Sequence, residues 1–277
     1  RARRSCVTQL LEVMEDWTKA LEDGDPVDTL YLDFRKAFDS VPHERLLKKL
    51  SACGISGEVL NWIRSFLTER QQRVVVNGSS SPWAPVTSGV HQGSVLGPTL
   101  FILYINDMPG TVTSTVKIFA DDTKIYRPVR TQEDRQQLQT ELDAVSDWSL
   151  KWQMPFNADK CTVLHVGSRN PKSSYVLDGL QLKETDTERD LGILVDTELK
   201  FRKQAASAVA KASQILALIR RSFLAIDCET LPLLFKTLVR PHLEYGCSIW
   251  GPFFKEDQKA VERVQRRATR LVPELKR

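Results

Sequence analysis

The sequence places carboxylates at the ends of two apolar segments. Residues 29–32 form a short apolar run of the kind found in buried strands, and Asp33 follows it directly. Further along, residues 116–120 and 123–126 flank Asp121 and Asp122, the pattern of two strands joined by a tight two-residue turn. We therefore predict two adjacent acids at a hairpin tip and a third acid at a strand end.

These three acids have the chemistry that a magnesium site needs. Mg²⁺ prefers octahedral oxygen ligands and keeps several waters, so a nucleotidyl-transfer site offers two or three carboxylates and lets substrate phosphates complete the shell. Each feature alone also fits a plainer interpretation. Adjacent acids are common in surface turns, and a strand-end Asp is often a cap or an ion-pair partner. Only their combination with other motifs decides between these interpretations.

The rest of the chain alternates between helical and extended segments up to about residue 200, which predicts a mixed α+β fold. Beyond that point only helical stripes follow, a pattern that favours packing within a small helical subdomain over a partner surface. The predicted helices include residues 6–21, 57–69 and 131–150. The predicted extended segments include the two arms 73–78 and 84–88 and one strand at 188–195.

Charge is concentrated at the C-terminal end. Residues 255–277 hold eight Lys and Arg against four acids, so this segment carries the whole net charge of +4. A basic terminal segment on a neutral body indicates a phosphate-binding surface, although a solvated helix face gives the same pattern.

The number and spacing of the cysteines and the hydropathy of the chain indicate the cellular compartment and argue against a zinc site and a membrane span. The five cysteines are odd in number and scattered, without a Cys-x-x-Cys pair, which indicates reduced thiols in an intracellular protein and argues against a zinc site. No apolar run reaches the roughly 18 residues of a membrane span. The sequence does not distinguish the nucleus from the cytoplasm.

Three segments resemble the first three palm motifs of reverse transcriptases, in the family's order. They are residues 32–39 (LDFRKAFD), 89–98 (GVHQGSVLGP) and 119–122 (FADD). Two further segments, 157–161 (NADKC) and 191–193 (LGI), are similar to the motifs that follow. Segments 238–246 and 262–268 resemble the jockey-like branch of non-LTR, LINE-type retrotransposons. An unrelated helical scaffold with a chance acidic turn would require all five ordered motifs to be accidents, so the motifs argue strongly against it.

The resemblance implies an RNA-directed DNA polymerase that extends a DNA primer on an RNA template with deoxynucleoside triphosphates. It assigns Asp33 and Asp121 as ligands of two Mg²⁺ ions, with Asp122 as the second acid of the pair. Such a two-metal site activates the primer 3′-hydroxyl and stabilises the leaving pyrophosphate.

The resemblance also assigns roles to four other residues. Phe38 matches the position whose ring excludes a 2′-hydroxyl, although its ring also fits a plain core position. Gln92 and Gly93 match a turn against the incoming nucleotide and the template. Lys160 matches the lysine proposed to protonate pyrophosphate, and a solvated turn lysine is its alternative interpretation.

The implied architecture is a right-hand polymerase palm, an antiparallel sheet with packed helices, with partial fingers and a helical thumb. Residues 1–28 are expected to be partial fingers, residues 29–200 the palm with finger elements at about 43–88, and residues 201–277 the thumb. The thumb helices are expected to hold the nucleic-acid backbone through salt-sensitive contacts. The arginines proposed for this role are Arg263, Arg266, Arg267 and Arg270.

Residues 1–6 resemble the middle of a finger motif, so we expect the chain to begin after a family arginine that contacts the triphosphate and to lack the LINE endonuclease domain. The alternative function is therefore a truncated, catalytically inactive remnant that retains nucleic-acid binding. A group II intron maturase is the nearest enzymatic competitor.

Overall fold

The computed structural model describes residues 5–223 and 226–272. The expectation for residues 1–6 falls mostly outside this part of the chain, as does the end of the basic segment. The chain divides into two units. We call residues 28–163 and 171–184 the central unit, and residues 1–27, 164–170 and 185–277 the terminal unit.

Most residues of a five-stranded sheet lie in the central unit. Its strands are β1 (Val27–Leu32), β6 (Thr115–Phe119), β7 (Asp122–Pro128), β8 (Thr162–Val166) and β11 (Lys183–Thr185). Their order across the sheet is β11-β8-β1-β7-β6. As predicted, β1 is a buried strand and Asp33 follows it directly. Strand β1 has β7 as a hydrogen-bonded neighbour, so the strand that ends before Asp33 lies beside the strand that begins at Asp122.

The hairpin of β6 and β7 is confirmed, but the predicted position of its turn was wrong by one residue. Phe119 pairs with Asp122, so the two loop residues are Ala120 and Asp121, and Asp122 is already the first residue of β7. Ala120 has φ +52°, a left-handed conformation that hairpin turns of two residues demand. The turn position was misjudged because Ala gives no sequence signal for such a conformation.

Helices and short ribbons surround this sheet. The helices of the central unit are α2 (Ala37–Ser40), α3 (His43–Ala52), α4 (Gly57–Leu67), α5 (Leu96–Ile105), a 3₁₀ turn (Met108–Thr111) and α6 (Gln132–Trp152). Strand β5 (Ala84–Pro85) lies in the predicted arm 84–88 and pairs with β2 (Gln71–Gln72), which precedes the other predicted arm. Strand β3 (Val75–Val76) lies in the predicted arm 73–78 and pairs with β4 (Ser79–Ser80). Strands β9 (Val176–Leu177) and β10 (Leu180–Gln181) form a further small ribbon. Pro98 lies in the first turn of α5, as its sequence position required.

Helix α6 fixes the start of the hairpin through one buried carboxylate. Glu141, only 3% exposed, accepts hydrogen bonds from the backbone N–H groups of Thr113 and Ser114 and from the Thr113 hydroxyl. Burial alone would raise the pKa of Glu141, but these hydrogen bonds lower it below the ordinary value of 4.5. The stabilisation is therefore fully present above that value and is lost as the pH falls through the lower folded-state pKa.

We predict that Glu141→Ala lowers the free energy of unfolding by about 2–4 kcal/mol, because it leaves buried N–H donors without an acceptor. The measurement is urea unfolding at neutral pH. The matched control is Asp147→Ala, an exposed carboxylate on the same helix, which should change stability by less than about 0.5 kcal/mol. Equal effects of the two substitutions would show that Glu141 does not hold the hairpin.

The terminal unit combines one hairpin with a set of helices. The strands are β12 (Thr187–Asp190) and β13 (Ile193–Asp196), which pair antiparallel. The helices are α1 (Cys6–Glu22), α7 (Arg202–Ser222), α8 (Thr230–Leu234), a π turn (Phe235–Val239), α9 (Arg240–Glu244), α10 (Cys247–Trp250) and α11 (Lys255–Thr269). After β13, the described residues form helices and no further strand.

The prediction of one strand at 188–195 was wrong, because Leu191 and Gly192 form a turn within it. Their φ values of +45° and +89° reverse the chain between β12 and β13. The Tyr245 hydroxyl donates a 2.8 Å hydrogen bond to the Leu191 carbonyl oxygen. A Cβ atom on Gly192 would lie 3.2 Å from the Tyr245 ring, so this turn is held by an interaction 54 residues away in sequence.

The apolar helical stripes pack against each other, as the sequence favoured. Ala212, Leu216 and Ile219 of α7 share one core with Val264 and Ala268 of α11. Among the described residues, no helix has the length and apolar character needed to cross a membrane. The assignment of fingers, palm and thumb to particular ranges stays a prediction.

Candidate active site

The backbone of Asp33 is held on both sides by one turn of the chain. Its N–H donates to the Cys161 Sγ at 3.3 Å, and its carbonyl oxygen accepts from the Asn157 N–H at 2.7 Å. The next residue, Phe34, bridges to Phe156, with the two rings stacked 4.5 Å apart. These contacts fix the position of Asp33 immediately after β1.

Cys161 makes its contact with Asp33 as a neutral thiol. The side chain is fully buried, and burial raises its pKa to about 11. The group therefore stays protonated at neutral pH and adds no second negative charge beside the Asp33 carboxylate. Its role is positional, because a buried, protonated thiol is a poor nucleophile.

Lys160, in the same turn, lies beside the Asp33 carboxylate. Its Nζ is 3.8 Å from Oδ2, with 69% of the lysine side chain and 44% of the aspartate side chain exposed. A contact this long and this exposed is a loose, solvent-screened pairing. It leaves the lysine able to turn toward a phosphate, the role that the resemblance assigns to it.

The hairpin acids differ from each other in exposure. Asp121 is half-buried in the turn, whereas Asp122 is exposed at the start of β7. Within the described residues, no group of three or more His, Cys, Asp or Glu side chains is already arranged to hold a metal ion. The structure therefore places Asp33 directly after β1, and Asp121 and Asp122 at the turn that leads into the neighbouring strand β7, without a preformed three-ligand cluster among the described residues.

A second part of the candidate site joins the segment after Asp33 to the start of the second motif. The Gly89 N–H donates to the Val41 carbonyl oxygen and the Val90 N–H to that of Phe38, both at 2.8 Å. His43 Nε2 lies 2.9 Å from the Gly89 carbonyl oxygen. Together these contacts join residues 38–43 to Gly89 and Val90, and we call this joined surface the wall.

Gly89 makes this close approach possible. A Cβ atom at this position would lie 2.9 Å from both the Cα and the carbonyl oxygen of Asp39, and the φ of Gly89 is +95°. Gly93 shares the positive φ, at +84°, but a Cβ atom there would meet nothing within 4 Å. Open space in front of Gly93 is what a turn that faces a ligand requires.

This wall borders a cavity of about 620 Å³. Gln92 lines it and donates to the Asp39 carboxylate at 3.3 Å. Phe38 is half-buried and stacks on Phe101, with ring centroids 4.5 Å apart. Its ring is therefore supported by the core, while its backbone belongs to the wall.

Sequence reasoning missed two cations that line the cavity, Lys36 and Arg70. Lys36 lies within the first motif and adopts a left-handed conformation with φ +49° before α2. Its position inside that motif was the sequence signal that could have identified it as a candidate site residue. Arg70 follows α4, with its guanidinium 5.4 Å from the Phe66 ring, and nothing in its sequence surroundings marked it.

The predicted backbone-binding arginines lie in the terminal unit, on α11 and at its end, and they fall into two pairs. Arg263 Nε donates to the Lys259 carbonyl oxygen, and Arg266 is paired with Glu262 at 3.1 Å. Arg267 and Arg270 instead line a cleft between α11 and α7.

We predict that Gly89→Ala destabilises the chain more than Gly93→Ala does. Both substitutions put a Cβ at positive φ, at a cost of about 1–2 kcal/mol, but only Gly89→Ala also collides with the Asp39 backbone, for about 1–3 kcal/mol more. Urea unfolding of the two variants separates these effects. Equal losses of unfolding free energy in the two variants would show that the Asp39 backbone moves away from residue 89 without an energetic penalty.

Residues 12–204 match the family model described as reverse transcriptase (RNA-dependent DNA polymerase). The chain belongs to the reverse transcriptase family. This range contains Asp33, the hairpin acids, Lys160 and the wall at Gly89.

The reverse transcriptase domain is similar to polymerases of mobile elements. It is 28% identical to the RNA-directed DNA polymerase from mobile element jockey of Drosophila melanogaster, over 98% of this chain and 31% of that protein. It is 29% identical to the probable RNA-directed DNA polymerase from transposon X-element of the same species, with the same coverage. The chain thus spans about a third of these relatives.

Solved structures show the same fold. The telomerase from Candida albicans, in complex with a fragment of telomeric RNA, aligns over 98% of this chain and 53% of its own, with a TM-score of 0.50 and 11% identity. At this identity the likeness concerns the fold alone. It confirms the expected α+β, palm-like architecture of this reverse transcriptase.

The acidic residues fit a divalent ion of the kind the family implies. Mg²⁺ needs only one or two carboxylates when waters and substrate phosphates complete its shell, so a preformed cluster of three is not required. Asp33 and Asp121 offer oxygen ligands on neighbouring rigid elements. Asp33 is also restrained at both backbone groups.

Proposed function

We propose that this domain catalyses RNA-directed DNA synthesis, extending a DNA primer on an RNA template by two-metal nucleotidyl transfer. The observation that carries the proposal is the fixed backbone of Asp33 at the end of β1, beside the strand that starts at the hairpin acids. The names of the related mobile-element polymerases support the same reaction.

The acids would hold the metal ions, with Asp33 and Asp121 as ligands and Asp122 as the second acid of the pair. Two bound Mg²⁺ ions supply the charge that activates a 3′-hydroxyl and stabilises a leaving pyrophosphate. Residues 155–161 contribute by restraining Asp33, since a displaced ligand loses much of its effect on the transition state. Lys160 would give a proton to the pyrophosphate oxygen as it leaves.

The cavity beside Gly89 would take the incoming deoxynucleoside triphosphate. Lys36 and Arg70 supply positive charge for its phosphates, and Gln92 supplies an amide whose position is set by Asp39. Gly93 leaves room for the nucleotide or the template strand to approach the backbone. Phe38, supported by Phe101, would lie against the sugar and exclude a 2′-hydroxyl.

In this proposal residues 29–200 act as the palm, residues 1–28 and about 43–88 as fingers, and residues 201–277 as a thumb that holds the RNA and DNA strands. The alternative, an inactive remnant that only binds nucleic acid, is not favoured. Loss of catalysis removes the need for ligands, yet Asp33, Asp121 and Asp122 are all present.

We predict that Asp121→Asn lowers magnesium-dependent primer extension on poly(rA)/oligo(dT) by at least about a hundredfold, since a metal ligand contributes several kcal/mol to the transition state. The matched control is Asp147→Asn, the same change at an exposed position of α6, which should keep parental activity. Extension by the Asp121→Asn variant at the parental rate would remove Asp121 from the catalytic set. A parent chain that binds the duplex but extends no primer would establish the inactive remnant.

We further predict that Phe38→Val raises ribonucleotide incorporation relative to deoxyribonucleotide incorporation by about tenfold or more, because a shorter side chain leaves room for the extra oxygen. Single-nucleotide extension with each substrate measures this ratio. Phe235→Val makes the same truncation at a half-buried phenylalanine in the core of the terminal unit and controls for loss of core packing. An unchanged ratio in Phe38→Val would assign the ring to the core alone.

A further inference from the structure

Helices α7 and α11 of the terminal unit have matched charges at one end and unmatched charges at the other. At their N-terminal ends, Arg202 of α7 lies 3.4 Å from Glu256 and 3.7 Å from Asp257 of α11. All three acids of α11 lie within its first eight residues, and α7 has five Lys and Arg with no acid at all. Acids of α11 therefore offset positive charge at the N-terminal ends of the pair, whereas no acid of either helix offsets it at the C-terminal ends.

At those ends the two helices enclose a cleft of about 520 Å³. Arg220 comes from α7, and Arg267 and Arg270 come from α11 and its C-terminal end. The rest of the lining is small or apolar and consists of Ser213, Leu216, Ala217 and Leu271. Three exposed guanidinium groups therefore border one cleft between the helices.

These arginines differ from their neighbours in having no ionic partner. Among the described residues, Arg220, Arg267 and Arg270 make no ion pair or side-chain hydrogen bond. Arg263 and Arg266, one turn earlier on α11, are both occupied within their own helix. The distinction separates two pairs of arginines that look equivalent in the sequence.

A helix C-terminus attracts positive charge, so one arginine at the end of each helix would need no further explanation. Three around one cleft repel each other, and an apolar floor weakens the screening of that repulsion. An anion in the cleft would remove this cost. The planar guanidinium fork matches two oxygens of a phosphate group at once.

We propose that this cleft, which we call the arginine cleft and define by Arg220, Arg267 and Arg270, binds a phosphodiester group of the nucleic-acid backbone. The proposal rests on the proposed function, because it names the residues through which the terminal unit holds its nucleic acid. Compared with the four arginines expected from the sequence, the proposal adds Arg220 of α7 and no longer counts Arg263 and Arg266 among the principal contacts to the nucleic-acid backbone.

The test compares two double variants with the same loss of charge. Arg220→Gln with Arg267→Gln disrupts the arginine cleft, whereas Arg263→Gln with Arg266→Gln leaves it intact. Fluorescence anisotropy measures the affinity of each chain for a labelled RNA/DNA hybrid between about 50 and about 200 mM KCl. All four arginines are exposed, so circular dichroism and thermal melting should show unchanged folding.

The cleft variant should bind about tenfold more weakly, and the slope of log affinity against log salt should become shallower by about one to two, because each lost phosphate contact removes close to one unit. The control variant should change the slope by less than about 0.5. Arg220→Lys with Arg267→Lys keeps the charge but loses the fork, so its affinity should fall between the parent and the cleft variant.

Equal losses in both glutamine variants would overturn the proposal, since net charge alone would then explain binding. A parent chain that binds no hybrid would instead overturn the proposed function. A separate arm titrates inorganic phosphate by calorimetry. If phosphate binds the parent and not the cleft variant while both bind the hybrid equally, the cleft takes a free phosphate and the backbone assignment is wrong.

Discussion

The candidate site depends on two backbone hydrogen bonds that restrain one aspartate. Asp33 directly follows a buried strand. Its N–H donates to the Cys161 Sγ, and its carbonyl oxygen accepts from the Asn157 N–H, although both partners lie 124 or more residues further along the chain. A strand end is otherwise a place where the chain is free to turn away. Because both groups are held, the backbone that carries the carboxylate keeps a defined position directly after β1, the strand that neighbours β7. The burial of Cys161 matters for the same reason, since a neutral thiol accepts the N–H without repelling the carboxylate.

A second constraint is the absence of a side chain at Gly89. The contact between this residue and the backbone of Asp39 brings the first two motifs together, and no other residue type has room there. The cavity lined by Lys36, Arg70 and Gln92 follows from that contact. The positive φ of Gly89 and its missing side chain thus allow the wall to form, and the wall borders the proposed nucleotide site.

Much of this arrangement could be predicted from the sequence. The buried strand before Asp33, the hairpin with its acids and the helical C-terminal segment all follow from periodicity and from turn signals. The position of the turn at Ala120 could not be predicted, because an alanine at positive φ is imposed by the hairpin and leaves no mark in composition. The turn at Leu191 was missed because a tyrosine 54 residues away stabilises it. Arg70 and Arg220 were missed because only folding brings them beside other functional side chains.

We propose that Asp33 and Asp121 share a divalent-metal site, and the measurement that tests this most directly is iron-directed cleavage of the protein itself. Fe²⁺ takes the place of Mg²⁺ at oxygen ligands, and with ascorbate and peroxide it cuts the backbone near the bound ion. Such a site predicts cuts close to residues 33 and 119–122 that are suppressed by excess Mg²⁺ and lost in Asp121→Asn. Cuts elsewhere, or cuts at these positions that persist in that variant, would contradict it.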